Sequence, residues 1–538
     1  MDWNLGDIWE AVAGVLGDEP ALLHADGAVS WSEFDRRSNA LARYLLERDV
    51  EAGDKVAIYS YNRPEYLEAV FAAFKARLVP VNINYRYRAE ELAYIFDNSD
   101  AVAVVFENDF AANLDSLRPG LDKVKAFVGI DDGRPRPDWA DDYASVAAGP
   151  DGALGNQRSG DDLMFIYTGG TTGMPKGVMW RQEDVWVTLG GGGDLLTGEG
   201  KPAGIDEHLA NVGRGQARMR LMPACPLMHG TGLLTAINAL FMGGSIVTLP
   251  SRRLDAALLW SEVERHKVNA ISIVGDVFAR PMTKALGERS YDLTSLAMIV
   301  SSGVMWSPEV KAEMLKHHPA MVLVDSLGSS EATGFGTSVT TAEQTVALGK
   351  FQVGNKVKVF DDELREIAPG SGKRGRVARS GNIPLGYYKD PAKTAETFPV
   401  IDGVRYSMPG DYAMVQGDGT LVLLGRGSVC INTGGEKVFP EEVEEVLKRH
   451  PSVEDAAVVG LPDEKWGQAI TAMVQARPGR ETDEGELREH VRSLLAAYKV
   501  PKRVFAVPDI GRSPSGKMDY RAVTRMARER AGLGPEGP

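Results

Sequence analysis

The chain has 538 residues, 43% of them hydrophobic and 25% charged, with 60 Lys and Arg against 74 Asp and Glu. This is a globular composition, which excludes a disordered, collagenous or small disulfide-stapled chain. A net charge of −14 argues against a surface built for nucleic acid while leaving a local basic pocket open. At roughly 100–200 residues per domain, the length predicts about three to five domains or subdomains.

In chain order, Trp31-Ser32-Glu33-Phe34 opens a helical run with Leu41, Leu45 and Leu46 on one face. KVAIYS (55–60) reads as a short buried strand, 64–78 as a helix, and LVPVNI and AVAVVF as strands. The rhythm resumes from about 160 to 345 with LMFIYT, SIVTL, NAISIV, LAMIVSS and MVLVDSLGSS. Strands alternating with helices predict a largely parallel α/β sheet. The stretch 221–251 carries no Asp, Glu, Lys or Arg. Pro223, Pro226, His229, Asn238 and Gly243-Gly244 interrupt it as a membrane span, so a buried helix, a turn and the strand SIVTL are expected instead.

After about 350, KVKVFDD, GRVARSG and GTLVLLGRG predict a small antiparallel sheet or distorted barrel. PEEVEEVLKRH then reads as an amphipathic helix with Pro440 near its start, VEDAAVVGLPDE and TAMVQARPG as strands, and DEGELREHVRSLLAAY as a second helix. Gly425-Arg426-Gly427 is the expected junction, giving a large N-terminal domain over 1–425 and an α+β domain over 426–538. Cys225 and Cys430 are the only cysteines, so neither a disulfide framework nor a Cys-based zinc site is expected. The acidic N-terminus lacks the positive charge of a signal peptide, and the expected compartment is the cytoplasm.

The strongest local signal is Tyr167-Thr168-Gly169-Gly170-Thr171-Thr172-Gly173-Met174-Pro175-Lys176-Gly177, directly after LMFIYT. Glycine N–H groups, threonine hydroxyls and one ammonium can wrap a polyphosphate, and a plain surface turn rarely stacks these residue types so densely. The segment is not a P-loop of the G-x-x-x-x-G-K-[ST] kind, because Lys176 follows Pro and precedes Gly. GGGG at 190–193 reads as a flexible loop.

TGGTTGMPKG resembles the phosphate loop of the adenylate-forming enzymes, which include acyl-CoA synthetases, firefly luciferase and peptide-synthetase adenylation domains. Five further segments fall in that family's order. Pro226-Leu227-Met228-His229-Gly230 is similar to its acyl-site segment, and 325–331 (DSLGSSE) to its adenine and metal segment. Gly410-Asp411 with Gly425-Arg426 resembles the ribose pair, Gly434-Gly435-Glu436 the loop opening a mobile C-terminal domain, and Ser513-Pro514-Ser515-Gly516-Lys517 the terminal lysine motif. The resemblance spans nearly the whole chain.

The resemblance implies two half-reactions: a carboxylate attacks the α-phosphate of ATP to give acyl-AMP and pyrophosphate, and coenzyme A then displaces AMP. It implies that Lys517 neutralises the adenylation step, that Thr168, Gly169, Gly170, Thr171, Thr172, Gly173 and Lys176 hold phosphate, and that Glu331, with Thr171, takes Mg²⁺. Gly303 and Val304 would face adenine together with Asp325, Ser326, Leu327, Gly328 and Ser330. Asp411 and Arg426 would take the ribose, and Gly434, Gly435 and Glu436 the thiol step. A lone histidine is usually structural, but His229 would gate the acyl pocket or touch the carboxylate.

The chain departs from the family pattern at Leu327, where an aromatic residue often stands, and at Gly427-Ser428-Val429 after Arg426. No acid that could bind an amino group sits early in the 226–240 segment, and the stretch around it (CPLMHGTGLLTAINALFMGG) is apolar with small residues, so a lipophilic acid is expected. The chain resembles bacterial fatty-acid–CoA ligases, including those for steroid side-chain acids. The alternative is a fatty-acyl-AMP ligase serving a carrier protein; a luciferase-type oxidation is not excluded by motif alone, and a silent binding homologue is disfavoured because Lys517, Glu331 and Asp411 are all present. The glycine-rich 190–215 stretch reads as a lid over a large substrate or a simple surface excursion. Expected partners are the acid, ATP and coenzyme A, without nucleic acid or a transmembrane segment; peripheral membrane contact and a homodimer stay open.

Overall fold

A computed structural model gives the structure of the chain, and it describes residues 3–87, 89–168, 174–193, 200–215, 218–304, 306–344, 349–433, 436–463, 467–495, 497–513, 516 and 518–534. Internal packing divides the chain into two compact units. The first takes in Met1–Gly170, Met174–Val346 and Ser380–Ser407, and the second Ala347–Arg379 with Met408–Pro538.

The first unit is built on two eight-stranded sheets. One runs, edge to edge, Ala332–Thr340, Val322–Ser329, Met298–Ser302, Ala270–Ile273, Arg220–Pro223, Ser245–Thr248, Pro20–His24 and Gly27–Ser30, parallel except at its two outer hairpins. The other runs Gly386–Tyr387, Lys176–Arg181, Leu163–Thr168, Val79–Asn82, Lys55–Tyr59, Ala101–Glu107, Ala126–Ile130 and Asp141–Asp142. The alternating strand and helix signals are met almost segment for segment. A strand at Arg220–Pro223 also precedes the apolar helix Gly230–Phe241, which the charge-free stretch alone does not reveal.

Local chemistry sets the element ends. Asn4 caps the helix Leu5–Leu16 by accepting from the backbone N–H of Gly6 at 2.8 Å, and Ser30 caps Trp31–Leu46 by accepting from Glu33. Pro64 starts the next helix without wasting an N–H. That helix ends at Lys75, short of the expected 64–78, because Arg77 enters the left-handed region at φ 61° and Leu78 N–H closes back on the Ala73 carbonyl at 2.7 Å. Between the layers Trp9, Phe34, Phe71, Phe74 and Phe241 interlock, with the Trp9 and Phe71 ring centroids 5.2 Å apart edge to face.

The glycine run corrects its sequence reading. Gly190, Gly191, Gly192 and Gly193 are buried, and the first three hold positive φ. A Cβ on Gly192 would come within 2.8 Å of His208 Nδ1, so glycine is needed for close packing rather than for a loose linker. The following helix, Ile205–Gly213, packs on Leu5–Leu16. Its His208 is fully buried, stands edge to face against Trp186, and pairs through Nε2 with the Phe241 carbonyl at 2.9 Å. Within 190–215 the described residues 190–193, His208 and Val212 are therefore packed into the core, while the rest of 200–215 lies partly or fully exposed at the surface.

In the second unit Lys350–Phe351, Leu421–Arg426, Asp411–Val415, Arg374–Ser380 and Val357–Phe360 form the expected antiparallel sheet. A separate sheet orders Glu436–Val438, Ile431–Thr433, Gly467–Ala476 and Val453–Asp463, with Arg503–Val507 parallel to Gly467–Ala476. Along Val453–Asp463 both faces are buried in alternation: Ala456 and Val458 meet the helices Pro440–Lys448 and Glu484–Leu494, while Ala457 and Val459 meet Tyr520–Arg530. That last helix is rich in arginine on its outer side; its two buried residues, Val523 and Ala527, lie one turn apart.

Candidate active site

The carboxyl ends of parallel strands are where an open α/β sheet leaves a crevice for ligands. In the first unit these ends carry most of the candidate residues. Thr168 closes the strand Leu163–Thr168, and Lys176, which begins the next strand, lies directly opposite it in register. Residues 169–173, the tip of this hairpin, lie outside the described residues. The Lys176 ammonium is ion-paired with Asp390, whose carboxyl is held below the ordinary value first by that contact and then by the Lys393 backbone N–H. Gly177 is fixed by its neighbour: a Cβ there would lie 2.6 Å from the Tyr167 ring.

Glu331 sits with Ser330 in the two-residue turn between Val322–Ser329 and Ala332–Thr340. Three side chains from elsewhere hold this turn. Trp180 Nε1 donates to the Ser330 carbonyl at 2.9 Å, Ser407 Oγ to the Glu331 carbonyl at 2.7 Å, and the Tyr387 hydroxyl to Glu331 Oε1 at 2.8 Å. Trp180 lies on the strand Lys176–Arg181, and Tyr387 pairs with Val178 of that same strand. The hairpin carrying Thr168 and Lys176 and the Glu331 turn are thus one hydrogen-bonded assembly.

His229 is the residue before the helix Gly230–Phe241, and its carbonyl accepts the Leu233 N–H at 3.0 Å. A Cβ on Gly230 would lie 3.9 Å from Ser330 Oγ, and one on Gly303 3.9 Å from Thr231 Oγ1. The positive end of this helix therefore stands beside the Gly303 turn and the Ser330–Glu331 turn, a setting that favours anions. Gly303 holds φ 95° immediately after the strand Met298–Ser302, and Val304 follows it, partly buried.

Asp325, Ser326, Leu327 and Gly328 continue along Val322–Ser329. Burial pushes the Asp325 carboxyl upward, and the ammonium of Lys311, itself buried, opposes that shift through an ion pair. Asp325 thus has a structural partner that the motif did not announce. Leu327 is 8% exposed and packs as an apolar residue. Cys225 is fully buried and its thiol is pushed up to about 12, so it is no nucleophile.

Two asparagines that no motif flagged set the 223–228 loop. Asn62 donates to the carbonyls of Pro223 and Cys225 at 3.0 Å each and accepts the Leu227 N–H at 2.7 Å. Asn82, 5% exposed, spans Tyr167 and Met228: it accepts from Tyr167 N–H at 2.8 Å and donates to the Tyr167 and Met228 carbonyls at 2.9 and 2.6 Å. Their only sequence signal is a polar residue that closes an apolar strand (Asn82) or lies in the short turn after one (Asn62).

In the second unit Asp411 and Arg426 face each other across two antiparallel strands, with Arg426 Nε 3.2 Å from Asp411 Oδ1. Gly425 holds φ 136°, and a Cβ there would lie 2.3 Å from Glu441 Oε2. Gly434, Gly435 and Lys517 lie outside the described residues, as does the side chain of Glu436, whose backbone pairs with Thr433.

This arrangement fits known sequences closely. Residues 9–388 match the AMP-binding enzyme family and residues 442–517 the AMP-binding enzyme C-terminal domain. The chain belongs to the AMP-binding enzyme family. It is 44% identical to a 3-oxocholest-4-en-26-oate–CoA ligase of Rhodococcus rhodochrous, covering 99% of this chain and 97% of that protein. It is 43% identical to a medium/long-chain-fatty-acid–CoA/3-oxocholest-4-en-26-oate–CoA ligase of Mycobacterium tuberculosis, covering 98% and 96%. The fold matches the crystal structure of the anthranilate CoA ligase AuaEII in complex with anthranoyl-AMP, with a TM-score of 0.84 at 22% identity over 99% of this chain and 98% of that one. As a member of this family the chain is an ATP-dependent acid–thiol ligase using coenzyme A. Delivery to a carrier protein is not favoured. Among the described residues no helix is long and apolar enough to cross a membrane.

Proposed function

We propose that the enzyme converts a lipophilic carboxylic acid, a medium- or long-chain fatty acid or a steroid side-chain acid, into its coenzyme A thioester through an acyl-adenylate. The observation that carries this reading is the meeting of the phosphate hairpin, the Glu331 turn and the positive end of Gly230–Phe241. The names of the relatives support the acid class, as does that helix: it is apolar and buried, with Thr231 and Thr235 among its partly exposed residues.

The acid's carboxylate oxygen attacks the α-phosphorus and the bond to the bridging oxygen of pyrophosphate breaks. Two anions must approach, so positive charge and orientation supply most of the rate. Lys176 leaves Asp390 for phosphate, Lys517 neutralises the carboxylate and an α-phosphate oxygen, and the helix end beside His229 favours the developing charge. Asp411 accepts from the ribose hydroxyls with Arg426 beside it. In the second half-reaction the thiol sulfur bonds the acyl carbon, its proton is lost and AMP departs; the Gly434–Glu436 segment serves this step. In this scheme a boundary at 425/426, proposed from the Gly425-Arg426-Gly427 junction, lets 426–538 present different segments to the two half-reactions.

Among the described residues no group of three or more His, Cys, Asp or Glu could hold a metal alone. Glu331 is a single hard carboxylate whose Oε1 is oriented by Tyr387, a donor set that fits Mg²⁺ shared with phosphate oxygens. Bound there, Mg²⁺ would supply charge neutralisation on the phosphates.

Pyrophosphate release across free acids from short-chain to steroid, with and without coenzyme A, tests the reading. Release with lipophilic acids, and a thioester by mass spectrometry once coenzyme A is added, is the expected result. Release confined to short or amino acids would overturn the acid class, and adenylate without thioester would overturn the thiol step.

A further inference from the structure

The turn leading to Lys517 is pinned from outside itself. Arg512 forms a fork with Asp455, Nε to Oδ2 at 2.6 Å and a terminal nitrogen to Oδ1 at 2.9 Å. Its other terminal nitrogen donates to the carbonyl of Gly516 at 3.2 Å, and the Gly516 N–H closes onto Ser513 at 2.8 Å. Gly516 is the residue before Lys517 in the chain. Asp455 sits at a shift in the strand register between Val453 and Asp455, the irregularity that re-aims a side chain. The Arg512 and Asp455 side chains are 14% and 22% exposed, so this pair is shielded from bulk water.

Arg512 also faces the buried carboxyl of Glu444, which accepts the Val458 N–H at 2.8 Å and the Tyr520 hydroxyl at 3.1 Å. One guanidinium therefore ties the strand Val453–Asp463 to the carbonyl beside Lys517. A lysine in its place is a point charge and cannot fork to Asp455 while donating to Gly516.

We propose that Arg512, oriented by Asp455, is a positioning residue for Lys517 and acts selectively on the adenylation half-reaction. The inference rests on the reading of Lys517 as the adenylation lysine. An error of about 1 Å in placing a catalytic group can cost on the order of a hundredfold in rate. Loosening the clamp should therefore lower the rate of acyl-AMP formation about 10- to 100-fold, with KM for ATP and for the acid little changed. Thioester formation from supplied acyl-AMP needs no Lys517 and should keep its rate.

The test measures both half-reactions in the full-length enzyme carrying Arg512→Lys, Asp455→Asn, Lys517→Ala and the double change Arg512→Lys with Lys517→Ala. Asp455→Asn loosens the fork while leaving Arg512 opposite Glu444, so it guards against misfolding of the Arg512 variant; melting curves report on both. Slow adenylation with intact thioester formation in the two clamp variants is expected, and no further loss when Arg512→Lys is added to Lys517→Ala. Normal adenylation in folded Arg512→Lys and Asp455→Asn, with Lys517→Ala inactive in that step, overturns the clamp. Equal loss of both half-reactions in the clamp variants makes Arg512 merely structural. Normal adenylation by Lys517→Ala overturns the underlying role of Lys517 instead.

Discussion

Glu331 is held by a tyrosine 56 positions away, and that contact has a measurable consequence. A hydrogen bond to a charged acceptor contributes about 1.5–3 kcal/mol, and about 1.4 kcal/mol is a factor of ten in rate. Tyr387→Phe keeps the ring but removes the donor, so Glu331 loses its set direction without loss of charge. The expected outcome is adenylation slowed about tenfold, read as pyrophosphate release, with thioester formation from supplied acyl-AMP unchanged. An equal fall in both half-reactions would show that Tyr387 serves only general packing. At this scale the residues proposed for the chemistry, Lys176 and Glu331, stand in contiguous motifs that the sequence shows, whereas Asp390, Tyr387, Trp180 and Ser407, which hold them, reach them across the fold.

At the scale of elements, the helix Gly230–Phe241 meets the turn before it at Gly232. A Cβ there would lie 2.4 Å from the Pro226 carbonyl oxygen, a backbone atom that cannot rotate away. Gly232→Ala should therefore destabilise the first unit by about 1–3 kcal/mol, the usual cost of overpacking, against the small gain alanine brings inside a helix. A lower midpoint in urea unfolding would register it; an unchanged midpoint would mean that the 226–229 turn yields freely. The glycine run at 190–193 teaches the same lesson. Composition reads it as flexible, but three left-handed backbones and the nearby His208 ring make it a tight buried turn. A glycine's purpose depends on what stands opposite, and for Gly192 that partner is His208, sixteen residues on.

Across the second unit, the buried pair Glu441 and Glu444 sets a pH dependence. Burial pushes both carboxyls above the ordinary value of 4.5, and for Glu441 the neighbouring Glu444 adds to the effect. A carboxyl whose folded value is raised stabilises fully below its unfolded value and loses that contribution as pH climbs through the folded one. This unit should therefore become less stable as pH rises from 4.5 into the neutral range. Glu441→Gln mimics the protonated form, and its melting temperature should fall less over that span than that of the parent. Identical slopes for the two proteins would exclude Glu441 as the source.

The sequence by itself determined the class of protein, the alternation of strands and helices, the order of the chemical segments and the small antiparallel sheet. These properties live in contiguous residues, where periodicity and turn chemistry act over a few positions. Tertiary structure alone decided how those segments are held: Asn62 and Asn82 bracing the 223–228 loop, Tyr387 and Trp180 joining hairpin to turn, Lys311 neutralising Asp325, and Asp455 and Arg512 gripping the carbonyl beside Lys517. It also turned the glycine run at 190–193 from an expected flexible loop into a tight buried turn. The physical reason is range. A motif carries its reactive groups in one short segment, but the hydrogen bonds that orient them come from residues that only folding brings near.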